Sequence, residues 1–272
     1  MTYSYQFPQK LDVIKENLIS QEEILRKVAA LYADAIEVGG LVHVYANGHS
    51  RVTVEETVVR MGALTGFHPL ISLGLTTFNN VIGTNGIRIC QAFEFTEGLG
   101  NKTLDEFHIG PKDVLVVITA TGTTSAAVDM ALAWSKRYPD NPLVGICCAE
   151  QSEKAKPKHS SGLNLTTVIK QTKHGYIINN GMPMGDLSID VHGMTGDYQL
   201  CPLSSIGALS ITQSLNELTL KVLDGRGVKP MILQNMHLGG YGVNYDEWIM
   251  DQRARYAQTI FNLKNKEVDH VK

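Results

Sequence analysis

Val114-Leu115-Val116-Val117-Ile118 is apolar at every position. A strand that can offer neither face to water belongs in the middle of a parallel sheet covered on both sides. Thr119-Ala120-Thr121-Gly122-Thr123-Thr124-Ser125 follows it, and then Ala126, Ala127, Met130, Ala131 and Trp134 fall on one face of a helix. The same order of buried strand, polar turn and helix occurs earlier. Residues 41–46 are apolar, Gly48-His49-Ser50 interrupts them, and a helical stretch runs from about Ser50 to Leu64. Residues 142–149 read as another buried strand and residues 176–178 as a shorter one. Recurring strand, turn and helix units of this kind predict an α/β, doubly wound architecture.

The flanks are helical. Leu11, Ile14, Leu18, Leu25, Val28, Tyr32 and Ile36 form one stripe over residues 9–38. Ser20 and Glu23 are placed to form a capping box that would split this segment, and Gly39-Gly40 ends it. Ile206, Leu209, Ile211, Leu215, Leu218 and Val222 predict an apolar helix over residues 203–224, and a last helix runs from about 245 to 263. Residues 65–113 read as a long irregular, glycine-rich excursion. The alternation over residues 187–192 reads as a strand whose polar face, Ser188, Asp190 and His192, is solvated. The expected organisation is one domain, with an N-terminal helical extension at 1–38, a core at 39–230 and a C-terminal helical segment at 231–272.

Composition narrows the function. At 272 residues, 43% hydrophobic and 19% charged, the chain is long enough for a real core and too apolar for disorder. A net charge of −3 without a basic cluster argues against a nucleic-acid partner. No run of about 18 apolar residues predicts a membrane span, and no apolar region near the start predicts secretion. Cys90, Cys147, Cys148 and Cys201 include no CxxC and read as buried thiols of a reducing, cytoplasmic setting.

The two hydroxyl-rich turns carry the chemistry. Parallel strands end their turns on one sheet edge, where the following helices aim free N–H groups and positive dipole ends. Hydroxyls added to such N–H groups make an anion site, most naturally for phosphate. Gly122 allows close backbone approach or a positive φ. Plain helix caps at Ser50 and at Thr123 or Thr124 would explain one hydroxyl each, whereas the second turn has five in seven residues. The GxxxxGK[ST] and GxGxxG phosphate loops are absent, as are HExxH and GxSxG. No cofactor and no metal are expected; Asp190 and His192 share a strand face but lack a third ligand.

A strand ending in Gly48-His49-Ser50, then one ending in Thr119-x-Thr121-Gly122-x-Thr124, resembles the sugar isomerase (SIS) domain. Further motifs are similar to those of a little-characterised bacterial branch described as phosphosugar isomerases. They are Glu55-Glu56 with Arg60 and Gly62, His159-Ser160-Ser161-Gly162, Asn180-Gly181-Met182-Pro183-Met184-Gly185-Asp186, and Pro202-Leu203-Ser204-Ser205. Where that branch has Gly-Gly-Asp-Glu-His-Asn, this chain has Gly239-Gly240-Tyr241-Gly242-Val243-Asn244.

The resemblance implies a five-stranded parallel sheet of flavodoxin-like type and a homodimer or higher oligomer. It also implies a sugar-phosphate site at the strand C-termini, often completed by a second subunit. The expected activity is aldose–ketose isomerisation through an enediol, with a non-catalytic phosphosugar sensor or a lyase or etherase as alternatives. Gly48, Ser50, Thr119, Thr121, Gly122 and Thr124 would hold the phosphate. Glu56, or Glu55, would be the base, with His159 or His49 as partner acid. Ser160, Ser161, Asn180 and Asp186 would line or shape the site.

Overall fold

The computed structural model describes residues 5–71, 87–235, 237 and 244–259. Its centre is a five-stranded parallel sheet in the order β2-β1-β3-β4-β5. The strands are β1 (Val42–Ala46), β2 (Phe67–Leu70), β3 (Val114–Ile118), β4 (Leu143–Cys147) and β5 (Gly175–Asn179). β1, β3 and β4 are buried at all five positions, as two covered faces require.

Alternate strand residues feed two cores. Val42, Val44, Val116, Ile118 and Ile146 pack beneath α2 (Glu22–Glu37) and α9 (Ser204–Gly225). Tyr45, Leu115, Val117 and Leu143 pack beneath α6 (Ser125–Arg137) and α8 (Leu165–Gln171). The predicted stripe of α6 is buried throughout, from Ala126 to Trp134. Burying a large apolar side chain of this kind contributes roughly 1.5–3 kcal/mol.

The chain order reverses between β1 and β3. After β1 the chain moves outward to the edge strand β2, then returns to lay β3 on the other side of β1. Ala46 pairs with Ile118, so the turns leaving these two strands emerge side by side. A reversal of this sort opens a crevice at the strand C-termini.

Several boundaries differ from expectation. The N-terminal segment does split, into α1 (Phe7–Ser20) and α2, but not through a capping box: Ser20 Oγ donates to the Asn17 carbonyl. α3 (Arg51–Val58) follows a single 3-10 turn over Gly48–Ser50 and stops six residues before Leu64. The stretch read as irregular holds an edge strand and two helices, β2, α4 (Ile87–Glu94) and α5 (Leu99–Asp105), while residues 72–86 lie outside the described residues. The strand at 187–192 is β6 (Leu187–Gly193), paired antiparallel with β7 (Gly196–Pro202) in a separate hairpin. The last helix, α10, is described over Tyr245–Thr259, so its expected end near 263 falls outside the described residues. Gly239 to Val243 also falls outside them. No described helix is long and apolar enough to cross a membrane.

Candidate functional site

The turns after β1 and β3 line one cleft of about 390 Å³. Gly48, His49 and Ser50 come from the first turn, and Thr119, Thr121 and Thr124 from the second. That volume suits a small molecule. Two larger hollows, of about 630 and 560 Å³, border Gln234–Asn235 and Gln258–Thr259. Both therefore adjoin stretches outside the described residues, and neither contains a hydroxyl-rich turn, so the chemistry selects the smaller cleft.

Helix capping does not account for the turns. Ser50 is the N-cap of α3 and Thr124 that of α6, and neither makes a side-chain cap hydrogen bond. Among the described residues, Oγ1 of Thr124 is buried without a partner, as is Nδ2 of Asn47, and both residues line the cleft. Buried polar atoms left unpaired cost about 1–3 kcal/mol. A hydroxyl and an amide N–H beside the start of α6 are the donor set an anion needs. Thr121 Oγ1 shares a 2.8 Å hydrogen bond with Thr123 Oγ1 and accepts from the Thr123 N–H at 3.3 Å, which shapes the second turn.

Two expected residues act on these turns from behind the cleft. Gly122 has φ +70°, and a Cβ there would fall 2.6 Å from Ser152 Oγ, so only glycine lets the turn pack on α7 (Ala149–Lys154). Asn180 is buried and donates from Nδ2 to the Ala120 carbonyl at 3.0 Å, bracing the second turn. Asp186 does line the cleft. Its carboxylate accepts from the N–H groups of Leu203 and Ser204 and from Ser204 Oγ, and so caps α9 from across the hairpin base.

The remaining candidates stand outside the cleft of this chain. Glu55 pairs with Arg51 at 2.9 Å. Glu56 pairs with Arg60 at 2.8 Å and accepts from Gln213 Nε2 at 3.3 Å. His159 shares a hydrogen bond with Ser161 Oγ at 2.8 Å, and its Nε2 lies 3.7 Å from Glu97 and 3.9 Å from Asp129. Ser160 donates its N–H to Glu97 Oε1 at 2.7 Å and its hydroxyl to Oε2. The His-Ser-Ser-Gly segment thus fastens the connection between α4 and α5, and Lys158 covers the Phe95 ring there at 4.6 Å.

The structure adds cleft residues that sequence reasoning left out: Asn47, Cys90, Gln91, Glu94, Ser204 and Ser205. The two serines belong to the quoted Pro-Leu-Ser-Ser motif, and Asn47 adjoins the first turn, so both had a local signal. Cys90, Gln91 and Glu94 sit on α4, inside the stretch read as irregular. Burial pushes the Cys90 thiol up to about 11, with the nearby Glu94 carboxylate adding to the shift, so it stays protonated. Burial also raises the Glu94 carboxyl above its ordinary range, against the pull of the Cys90 thiol and of Lys158. All four cysteines are free, with Cys201 half-buried and the others buried. Among the described residues no cluster of three or more His, Cys, Asp or Glu could hold a metal.

Comparison with known proteins bears on the family and the fold. Residues 5–138 match the family model described as the SIS domain. A UPF0309 protein of Shouchella clausii is 24% identical over 253 residues, covering 93% of this chain and 97% of its own length. A UPF0309 protein of Streptomyces coelicolor is 22% identical, covering 92% and 93%. Among solved structures, a phosphoheptose isomerase from Neisseria gonorrhoeae superimposes with a TM-score of 0.50 at 12% identity, covering 79% of this chain and 95% of that one. At that identity the likeness is one of fold.

Proposed function

Residues 5–138 belong to the SIS domain family, and on that ground we propose that the cleft binds a phosphorylated sugar and that the protein isomerises it between aldose and ketose. One observation carries the reading. Ser50, Thr119, Thr121 and Thr124 line one open cleft at the β1/β3 reversal, where, among the described residues, Thr124 Oγ1 and Asn47 Nδ2 have no partner. A phosphate there accepts hydrogen bonds from the threonine hydroxyls, the Asn47 amide and the N–H groups that open α6. The sugar chain then extends past His49, Ser204 and Ser205, whose polar groups suit its hydroxyls.

Isomerisation needs a base that removes a proton from C2 and returns it at C1, together with an acid and base for the two oxygens. It uses no cofactor. His49 lines the cleft and serves the oxygens. Glu55, Glu56 and His159 do not reach this chain's own cleft; in the homodimer or higher oligomer that we also propose, a second subunit could bring them to it.

The test is direct. Purified protein is mixed with hexose, heptose and amino-sugar phosphates in D2O. The expected result is thermal stabilisation by at least one of them, with deuterium incorporated at C1 or C2. Stabilisation without exchange would make the protein a phosphosugar sensor instead. No stabilisation by any of them would end the reading.

A further inference from the structure

We propose that Glu94, on α4, is the group that moves the proton between C2 and C1 of the bound sugar phosphate. The assignment rests on the phosphosugar reading above and names the carboxylate which that reading requires. Three features of the structure support it.

Glu94 lines the same cleft as Ser50, Thr121 and Thr124, so a phosphate held there brings the attached carbons within its neighbourhood. Its carboxylate packs against the first turn, since a Cβ on Gly48 would meet Glu94 Oε1 at 2.5 Å. Among the described residues its one hydrogen-bond contact is the Cys90 thiol, whose sulfur lies 3.9 Å from Oε1. A thiol is a weak donor, which leaves the carboxylate lone pairs available to a C–H proton. Glu55 and Glu56 differ on this point, each holding an arginine. Half-burial raises the Glu94 carboxyl and so strengthens it as a base, as proton abstraction near neutral pH favours.

The reaction balances without any co-reactant. Glu94 takes the proton from C2 of the open-chain aldose phosphate, and the C2–H electron pair becomes the C1=C2 bond. The C1 carbonyl oxygen takes a proton from His49, giving the enediol. Glu94 then returns its proton to C1 while the O2 hydroxyl proton passes to His49, leaving a carbonyl at C2. Both side chains end as they began.

Glycidol phosphate, a three-carbon epoxide carrying a phosphate, tests the assignment without knowledge of the natural sugar. A carboxylate placed to take a proton attacks an epoxide carbon, the ring C–O bond breaks, and the released oxygen takes a proton from water, leaving a hydroxy ester. The full-length protein is treated with this probe, digested and mapped by mass spectrometry, with and without inorganic phosphate. In parallel, thermal stabilisation by inorganic phosphate is measured for the wild type and for Glu94→Gln.

The expected result is an ester on Glu94, suppressed by inorganic phosphate and absent from Glu94→Gln, with phosphate stabilisation retained or increased in Glu94→Gln. On any sugar phosphate that the wild type exchanges, Glu94→Gln loses deuterium incorporation by about 100-fold or more. Stabilisation by phosphate with the ester on Glu55, Glu56 or no residue would overturn the role of Glu94 and leave the phosphosugar reading intact. Neither stabilisation nor labelling would overturn both.

Discussion

The carboxylate of Glu94 rests on the backbone of Gly48, leaving 2.5 Å between Oε1 and the place a Cβ would occupy. Gly48 also sits at φ +57°, in the left-handed region. The Gly48→Ala variant meets both obstacles at once. The backbone cost alone is about 1–2 kcal/mol, and the added methyl pushes Glu94 out of place. A lower urea midpoint is expected, together with loss of deuterium exchange on any sugar phosphate that the wild type exchanges. An unchanged midpoint would show that the turn has room that these contacts deny.

Thr124→Val replaces the unpartnered hydroxyl with a methyl of similar shape. If the hydroxyl serves a ligand rather than the fold, the unliganded variant is at least as stable as the wild type, because an unsatisfied buried group costs about 1–3 kcal/mol. Stabilisation by inorganic phosphate in a thermal melt should then shrink. A large stability loss with the phosphate response intact would mean that Oγ1 is bonded within the protein.

The parallel strands differ in how openly they announce themselves. β3 is apolar on both faces, and its burial at all five positions leaves periodicity little to decide. β2 is only four residues, Phe67-His68-Pro69-Leu70, and its proline is tolerated because it lies at the sheet edge. Nothing local marks such a strand, since its pairing with β1 is what makes it one. The two hydroxyl-bearing turns were legible because their residues are close in sequence and follow a strand. Glu94 was not, because it reaches the cleft through long-range packing of α4 on the first turn. Glu55 and Glu56 adjoin Ser50 in sequence but not this chain's cleft in space, because α3 turns them toward Arg51, Arg60 and Gln213.

Asp186 should matter more to stability than a turn aspartate ordinarily does. It accepts from Leu203 N–H at 2.9 Å, Ser204 N–H at 2.7 Å and Ser204 Oγ at 2.6 Å. Leu203, the N-cap of α9, has no side-chain acceptor of its own to offer. Asp186→Ala strips the cap and keeps the strained φ of +69°. The loss expected by chemical denaturation is about 1–2 kcal/mol. Asp186→Gly relieves the φ but not the cap, so it should recover only part. Full recovery in the glycine variant would assign the whole effect to backbone strain.

Acid should weaken the fold through His68. The ring lies in a buried chain in which His43 Nε2 meets Asp113 Oδ2 at 3.1 Å and the two Nδ1 atoms lie 3.0 Å apart. Two facing Nδ1 atoms have room for one proton between them, so the two rings cannot both be charged. Burial, with the charge of His43 adding to it and Asp113 opposing, lowers His68 to about 3. The unfolded chain binds that proton near pH 6.5, so between about 3 and 6.5 it holds more protons than the native state. Stability therefore falls as pH drops through that window. Asp113 acts in the same direction: burial would raise its carboxyl, but the His43 hydrogen bond and charge, with the Leu41 and Gly110 N–H groups, bring it below the ordinary value. In His68→Phe the ring contacts to Phe107 and Tyr256 can persist, while the titration is gone. Its urea midpoint should be lower at pH 7.5, where His43 loses a partner. Its decline below pH 6.5 should be shallower, by at most about 1.4 kcal/mol per pH unit. Parallel curves for the two proteins would remove His68 from the acid response.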